Sequence, residues 1–536
     1  MTSRTHLSLA ALLLICPALQ CGSSVDDNSA MNAPSGTDAG ANEGDARTDA
    51  ATTDGNASEG GISTDGSLPG PIGCKPIAID AAKSVDGYTS DVFSYYDGRC
   101  NLRSAALVRN DAVDPGGSRG GFLRQMTYEA GGAKRSCNGT GANGWNGFGY
   151  VVSHFGAGGG DSDTQSIGGT HRTVFAGKHH AIHEFRARIS PGGPVDVTIH
   201  WFFATGLSHP IYSITYDATP AGANVVMADT RSPYGDMTWD GKADGNVEGV
   251  GRGDKYKFTT TGTGPVTPQS SWDYAKPNIV PYDLEWSSTA NAEMGLVQTH
   301  TFEAHLAGGD YGGGTLSSDC WTKTSATKGP SCSSNGETMP TNYLWPFQLN
   351  QYELPFVTTS HRLAWGASFG AVGQSSYTAF GKTLSGYPFT SYSVYVVFGE
   401  HSNGEVLAQV LAVERAVSAQ ARATKGVLAA SGFAGVGRTD TVALSPAAYD
   451  HVYGTWDVRA DGNAATIELV PGSGALDRPI TRVLGYTAGA PPAHVQIAGR
   501  DLTPDAEYFA SVDTAQKILW ITLNQSVTGA TQIAIF

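Results

Sequence analysis

Val195-Asp196-Val197-Thr198-Ile199-His200-Trp201-Phe202-Phe203 decides the fold. Apolar and polar residues alternate along it, the two-residue period of a strand with one face buried. The pattern returns in Phe122-Leu123-Arg124-Gln125-Met126-Thr127-Tyr128, in residues 211–216 and in residues 392–398. Clusters of Gly, Pro, Asn and Asp separate these runs. Many short strands between turn signals mean a sandwich or barrel. No βα alternation, Walker loop or GxGxxG after a strand is present. The expected fold is therefore mainly β: a large antiparallel β-sandwich, one connecting helix and a smaller C-terminal sandwich.

The helix is the one departure from that period. Ser402-Asn403-Gly404-Glu405 has capping-box spacing, and Val406, Val410, Val413 and Val417 follow at helical intervals. This predicts a helix over 403–422, leading into a Gly-rich connector at 432–437. Strand patterns then resume in Pro491-Pro492-Ala493-His494-Val495-Gln496-Ile497-Ala498-Gly499-Arg500, in Tyr508-Phe509-Ala510-Ser511-Val512, and in residues 518–523 and 531–536. Their spacing and turn placement resemble the small immunoglobulin-like sandwich that often ends extracellular carbohydrate-active enzymes. The expected division is 74–401 for the large sandwich, which that resemblance implies is catalytic, 402–437 for helix and connector, and 438–536 for the C-terminal sandwich.

The first 73 residues concern address. Arg4 precedes an apolar run from Leu7 to Leu19, which ends at Cys21-Gly22-Ser23-Ser24. A basic start, a short apolar core and a small or polar exit make a secretory signal. The run is too short to span a bilayer core of about 30 Å as a helix. Residues 1–21 resemble a bacterial lipoprotein signal, although Gln20 stands where that family has a small residue. The resemblance implies lipidation at Cys21 and an outer-membrane lipoprotein; plain cleavage would give a secreted one. The membrane would then be met only through a lipid anchor. Residues 22–73 hold nine acids and one base, Arg47, no aromatic residue and few branched aliphatics. Such a segment buries too little to offset its ordering entropy, so an acidic flexible tether is expected. It carries −8 of the −15 formal charge, leaving −8 on residues 74–536 once Arg4 is set apart. That body has no basic stripe, so nucleic acid is not an expected partner.

Cysteine usage fits export. In an oxidising compartment Cys74 and Cys100, and Cys320 and Cys332, are candidates to pair, with Cys137 left over. No CxxC pattern suggests a zinc or redox motif.

Chemistry-bearing residues concentrate in two blocks. The first contains His179-His180-Ala181-Ile182-His183, His200, Ser208-His209-Pro210 and Asp229-Thr230-Arg231-Ser232-Pro233-Tyr234-Gly235-Asp236-Met237-Thr238-Trp239-Asp240. The last stretch mixes charge and aromatic rings without a core-like period and reads as a loop, where binding and catalysis concentrate. The second contains Glu285, Glu293, Gln298, His300 and His305. Saccharides suit these residue types: aromatic faces stack on C–H surfaces, while Asp, Arg and His bond hydroxyls. A glycosidase needs two carboxyl groups, one protonated and one ionised. Asp229 and Asp236, facing Glu293, are the catalytic candidates. His209, Arg231, Tyr234, Trp239, Gln298 and His300 are the substrate-binding candidates. Gln298, His300 and Phe302 would share one face of a strand.

Structural roles fit some of these residues as well. Asp236 could cap a turn beside Gly235, Arg231 could pair with Asp229, and His209-Pro210 could be turn chemistry. His200 reads as a bonded core histidine, and Trp456 as core. His180 would oppose His179 and His183 on a strand, so no metal site is assigned to this trio. No cofactor is expected beyond a structural calcium at Gly158-Gly159-Gly160-Asp161-Ser162-Asp163, whose side chains offer oxygen ligands.

The leading expectation is an extracellular polysaccharide-degrading glycoside hydrolase with paired carboxylates, its partner a polysaccharide or oligosaccharide. A polysaccharide lyase would use Tyr or His as base and Arg to neutralise a uronate carboxylate. A non-catalytic glycan-binding surface lipoprotein would use the same loops without turnover.

Overall fold

The computed structural model describes residues 73–111, 121–130, 132–139, 147–154, 161–163, 168–189, 194–220, 229–239, 249–252, 280, 282–301, 347–349, 361–367 and 389–536. The strands that position functional side chains are β1 (Tyr88–Tyr96), β2 (Leu123–Ala130), β3 (Gly169–Ala176), β4 (His180–Ile189), β5 (Val195–Ala204), β6 (Ile211–Asp217), β7 (Asp229–Trp239), β8 (Ala292–Gln298) and β9 (Phe389–Gly399). The helix α1 spans Glu405–Ser418. Among the described residues no helix is long and apolar enough to cross a membrane.

Two antiparallel sheets form the large sandwich. One has ten strands and runs Ala78–Val85, β1, Leu102–Val108, β2, Ala133–Gly139, β7, His361–Ala367, Phe347–Leu349, with Phe148–His154 bridging β2 and β7. The other has eight strands, ordered Gly249–Arg252, Tyr282–Ser287, β8, β9, β6, β5, β4, β3. The alternation in β5 explains the packing. Val195, Val197, Ile199, Trp201 and Phe203 face the ten-stranded sheet and meet Phe93, Tyr95, Leu123, Met126 and Trp239 in one core. Phe202 and Ala204 join a second cluster on the outer face with Val406, Val410, Val413 and Trp520. The eight-stranded sheet is thus covered on both sides, which accounts for the aromatic run at the end of β5.

The valine stripe of α1 is buried at Val406, Val410 and Val413, as its spacing predicts. Each buried valine contributes about 1.5–2 kcal/mol, so packing holds a helix too short to persist alone. The capping box does not form. Gly404 occupies the N-cap at φ +60°, a left-handed conformation that favours glycine, and makes no side-chain cap bond. Ser402 lies instead in a 3-10 turn, His401–Asn403. The amide of Val406, the second helical residue, bonds to Glu293, as set out below.

The C-terminal sandwich begins earlier than residue 438. Gln420–Lys425 already pairs with Ala465–Val470, and Val427–Leu428 with Thr455–Arg459. The presumed connector holds the hairpin strand Ser431–Phe433. A five-stranded and a six-stranded sheet enclose Trp456, Val458, Ile467, Leu469, Val483, Ile521 and Ile533. One strand pair departs from antiparallel order, Thr455–Arg459 running parallel to Ile480–Leu484. A Cys74–Cys100 disulfide with a Cα–Cα distance of 5.0 Å ties the chain entrance, and the Cys74 amide donates to the Asp505 carbonyl at 2.8 Å. Cys137 is buried in the large core, while Cys320 and Cys332 lie outside the described residues.

Polar side chains join Trp520 in the contact between the two sandwiches. His180 Nδ1 lies 3.0 Å from Ser511 Oγ and Nε2 2.9 Å from Thr522 Oγ1. His200 bonds Glu184 at 3.0 Å and the Tyr453 hydroxyl at 2.7 Å, the bonded role expected of it. Gly206 sits at φ +99°, where a Cβ would come within 2.8 Å of Thr522 Cγ2. Both backbone and space therefore call for glycine at this approach.

Candidate active site

The stretch 229–239 is a strand, not a loop. β7 lies inside the ten-stranded sheet, pairing with His361–Ala367 on one side and with Phe148–His154 and Ala133–Gly139 on the other. A register shift between Arg231 and Tyr234 breaks its two-residue period, which hides the strand in the sequence. The backbone places Asp229 opposite His154, Arg231 opposite Val152, Tyr234 opposite Tyr150 and Asp236 opposite Arg362. The side chains of these four residues lie outside what is described, as does Asp240. Trp239 is corrected: its indole is buried in the sandwich core and presents no face to a sugar. At the calcium candidate, Asp161–Asp163 forms a short strand beside Phe148–His154, and residues 158–160 lie outside the described set.

Glu293 projects from β8 on the face opposite Met294 and Leu296, which point into the sandwich. It therefore lies beneath α1, with the eight-stranded sheet between it and β7. Its Oε1 accepts the Val406 amide at 2.7 Å and Oε2 lies 3.0 Å from His401 Nδ1. Burial pushes its pKa up, against the opposing pull of the Val406 amide and His401. A carboxylate at the first amides of a helix caps it. The structure does not bring Glu293 to Asp229 or Asp236.

Gln298 ends β8 and is buried. The strand stops there, so His300 does not share its face. His300 instead turns to the C-terminal sandwich, where Nε2 meets the Ser445 carbonyl and the ring packs near Tyr449 and His451. Phe302 and His305 lie outside the described residues.

Among the candidates whose side chains are described, His209 lines a cleft. This cavity of about 880 Å³ opens between Leu102–Val108 and β2 of the ten-stranded sheet, α1 and the C-terminal sandwich. Its lining includes Asp97, Arg103, Tyr128, Glu129, His209, Glu400, Glu405, Arg415, Asp477 and Arg478. The Phe398 amide donates to His209 Nδ1 at 3.5 Å, which puts the imidazole proton on Nε2, 3.8 Å from Glu405 Oε2. Burial, with Arg103 adding to it, pushes the His209 pKa well below the ordinary histidine value. The ring is therefore neutral at pH 7. Arg103 is 5% exposed and stands over the Tyr128 ring, 5.5 Å from its centroid. Its Nη1 donates to the Phe398 carbonyl at 3.4 Å, while Nε has no partner among the described residues. A buried guanidinium with an unsatisfied donor favours an anionic or strongly polar ligand.

Sequence reasoning missed the cleft because its walls come from segments hundreds of residues apart. It also missed a grouping of Asp91, His171 and His183, whose ligand atoms lie within 4.8 Å of one another. The His179–His183 trio disperses. His179 and His180 bond residues of the C-terminal sandwich, and His183 faces β1.

No protein-family model matches the sequence, and no curated protein is significantly similar to it. Among solved structures, an alpha-mannosidase from Enterococcus faecalis V583 aligns with TM-score 0.31 and 7% identity, over 81% of this chain and 41% of that one. A glycosyl hydrolase family 38 protein from Enterococcus faecalis aligns with TM-score 0.28 and 9% identity, over 87% of this chain and 53% of that one. The chain thus spans about half the length of these structures or less, and a likeness this weak carries no argument.

Proposed function

We propose that the chain is an extracellular carbohydrate-active enzyme, a glycoside hydrolase whose substrate lies in the cleft beside His209. The supporting observation is the polar cleft itself, where carboxylates and guanidiniums meet around Tyr128. Glu405, partly exposed, stands 3.8 Å from neutral His209, and Glu129 lines the same cleft. A saccharide needs such a mixture of acceptors, donors and rings, and a hydrolase needs two of the carboxyls in different protonation states. Asp229 and Asp236 remain proposed participants through β7. The signal and tether read in residues 1–73 support a location outside the cytoplasm, held by lipid at Cys21 or released.

Arg103 favours a second reading, a lyase acting on uronate polymers. A buried guanidinium would neutralise the uronate carboxylate. The two readings separate on product chemistry. Incubating the full chain with neutral and uronate polysaccharides should give new reducing ends without ultraviolet absorbance if it hydrolyses. Unsaturated product absorbing in the ultraviolet would establish the lyase instead. No product from any polymer, with retained binding, would leave a glycan-binding protein.

A further inference from the structure

We propose that Asp91, His171 and His183 form a binding site for a zinc-class divalent transition metal, which staples the two sheets of the large sandwich together. The three side chains come from both sheets. Asp91 stands on β1 of the ten-stranded sheet, while His171 and His183 stand on β3 and β4 at the edge of the eight-stranded sheet. In the β3–β4 register Thr173 opposes His183 and His171 opposes Phe185, so the two imidazoles are diagonal neighbours on one face.

Each ligand atom is left available by the bonds its own side chain makes elsewhere. Asp91 Oδ1 accepts Arg109 Nε at 3.0 Å, Arg109 Nη2 at 2.7 Å and the Ala82 amide at 3.0 Å. Its Oδ2 faces His171 Nδ1 at 3.5 Å and His183 Nε2 at 3.8 Å. His171 Nε2 lies 3.1 Å from Asp111 Oδ2; with the proton on Nε2, the Nδ1 lone pair is turned toward Asp91 and is free for a metal. His183 Nδ1 lies 3.2 Å from Thr173 Oγ1, and the fully buried Nε2 has no hydrogen-bond partner among the described residues. With His183 Nδ1 donating to Thr173, a nitrogen from each imidazole and a carboxylate oxygen lie within 4.8 Å of one another. Arg109 balances the Asp91 charge, and a bound metal would take the place of the proton that otherwise joins His171 to Asp91. The imidazole–carboxylate contact through Asp111 is the outer-shell support that metal-bound histidines use.

The donor set selects the ion. Two imidazoles and one carboxylate suit Zn²⁺, Co²⁺ or Fe²⁺ and not Ca²⁺, which takes oxygen ligands. Metal–ligand bonds of about 2.0–2.2 Å in a tetrahedron put ligand atoms about 3.4 Å apart, close to the separations found for Asp91 with each histidine. Three protein ligands leave one position for water. His171, partly exposed, forms the entrance.

The test uses the full-length protein, freed of metal by a chelator and titrated with Co²⁺, then with Zn²⁺. One equivalent of Co²⁺ should bind with visible ligand-field bands, be displaced by Zn²⁺, and raise the melting temperature. His171→Gln, at the rim, should stay folded by circular dichroism and bind Co²⁺ more weakly by at least the roughly 10–100-fold that loss of an outer-shell partner causes. His183→Gln serves as the second variant with the same expectation. Wild-type protein that takes up no ion overturns the proposal. So does a folded His171→Gln that binds with unchanged affinity.

Discussion

Replacing Glu293 separates a capping residue from a catalytic one. In Glu293→Ala the Val406 amide, fully buried, loses its acceptor at 2.7 Å, and His401 loses its contact at 3.0 Å. Loss of a helix cap costs about 0.5–2 kcal/mol, and a buried donor left unsatisfied costs about 1–3 kcal/mol. These overlap for the same amide, and burial already disfavours the carboxylate, so about 2–3 kcal/mol in all is expected. Glu293→Gln keeps an acceptor for Val406 and should lose no more than roughly 1 kcal/mol. Chemical denaturation measures both. Hydrogen exchange adds location, since the amides at 406–408 should lose protection before the strands of the large core do. Turnover of the folded glutamine variant should stay within about twofold, since 1.4 kcal/mol is a factor of ten and no transition-state contact is removed. A glutamine variant of wild-type stability with abolished turnover would refute the capping account and return Glu293 to the catalytic machinery.

Three further outcomes follow from the same packing. Removing the disulfide as Cys74→Ala with Cys100→Ala opens a loop of 26 residues, and chain entropy predicts a loss of about 3.5 kcal/mol, measurable by denaturation with and without the bridge. Burial pushes the His180 pKa well below its ordinary value, so the unfolded chain binds its proton more tightly. Stability therefore falls as pH drops below about 6.5, by up to about 1.4 kcal/mol per pH unit from this residue, and His180→Gln should flatten that slope in melts between pH 7 and 5. Trp239→Ala should destabilise by about 3–5 kcal/mol, as an emptied core site does; an unchanged melting temperature would return it to the surface.

The strands of the large core were legible because one face of each is buried and the two-residue period survives, as in β5. The valine stripe of α1 was legible for the same reason at a period of 3.6. Its start was not, because the cap is Glu293, 113 residues upstream of Val406, and no local spacing encodes it. β7 does not read as a strand because a register shift interrupts its alternation. His200 was recognised as bonded from its strand context, but its partner Tyr453 lies 253 residues away. The cleft escaped the sequence altogether. Arg103, Tyr128, His209 and Glu405 each sit in ordinary surroundings along the chain, and only the packing of α1 and the C-terminal sandwich brings them together. The Asp91, His171 and His183 group was hidden likewise, its ligands divided between two sheets.

Carbohydrate is proposed to bind in the cleft beside His209. Hydrogen exchange of the full-length chain, with and without an oligosaccharide of the polymer it acts on, tests this directly. Protection is expected in the segments carrying Asp97–Arg103, Tyr128–Gly132, Gly206–His209 and Glu400–Ala416. Protection confined to β7 and β8, with the cleft segments unchanged, would contradict it.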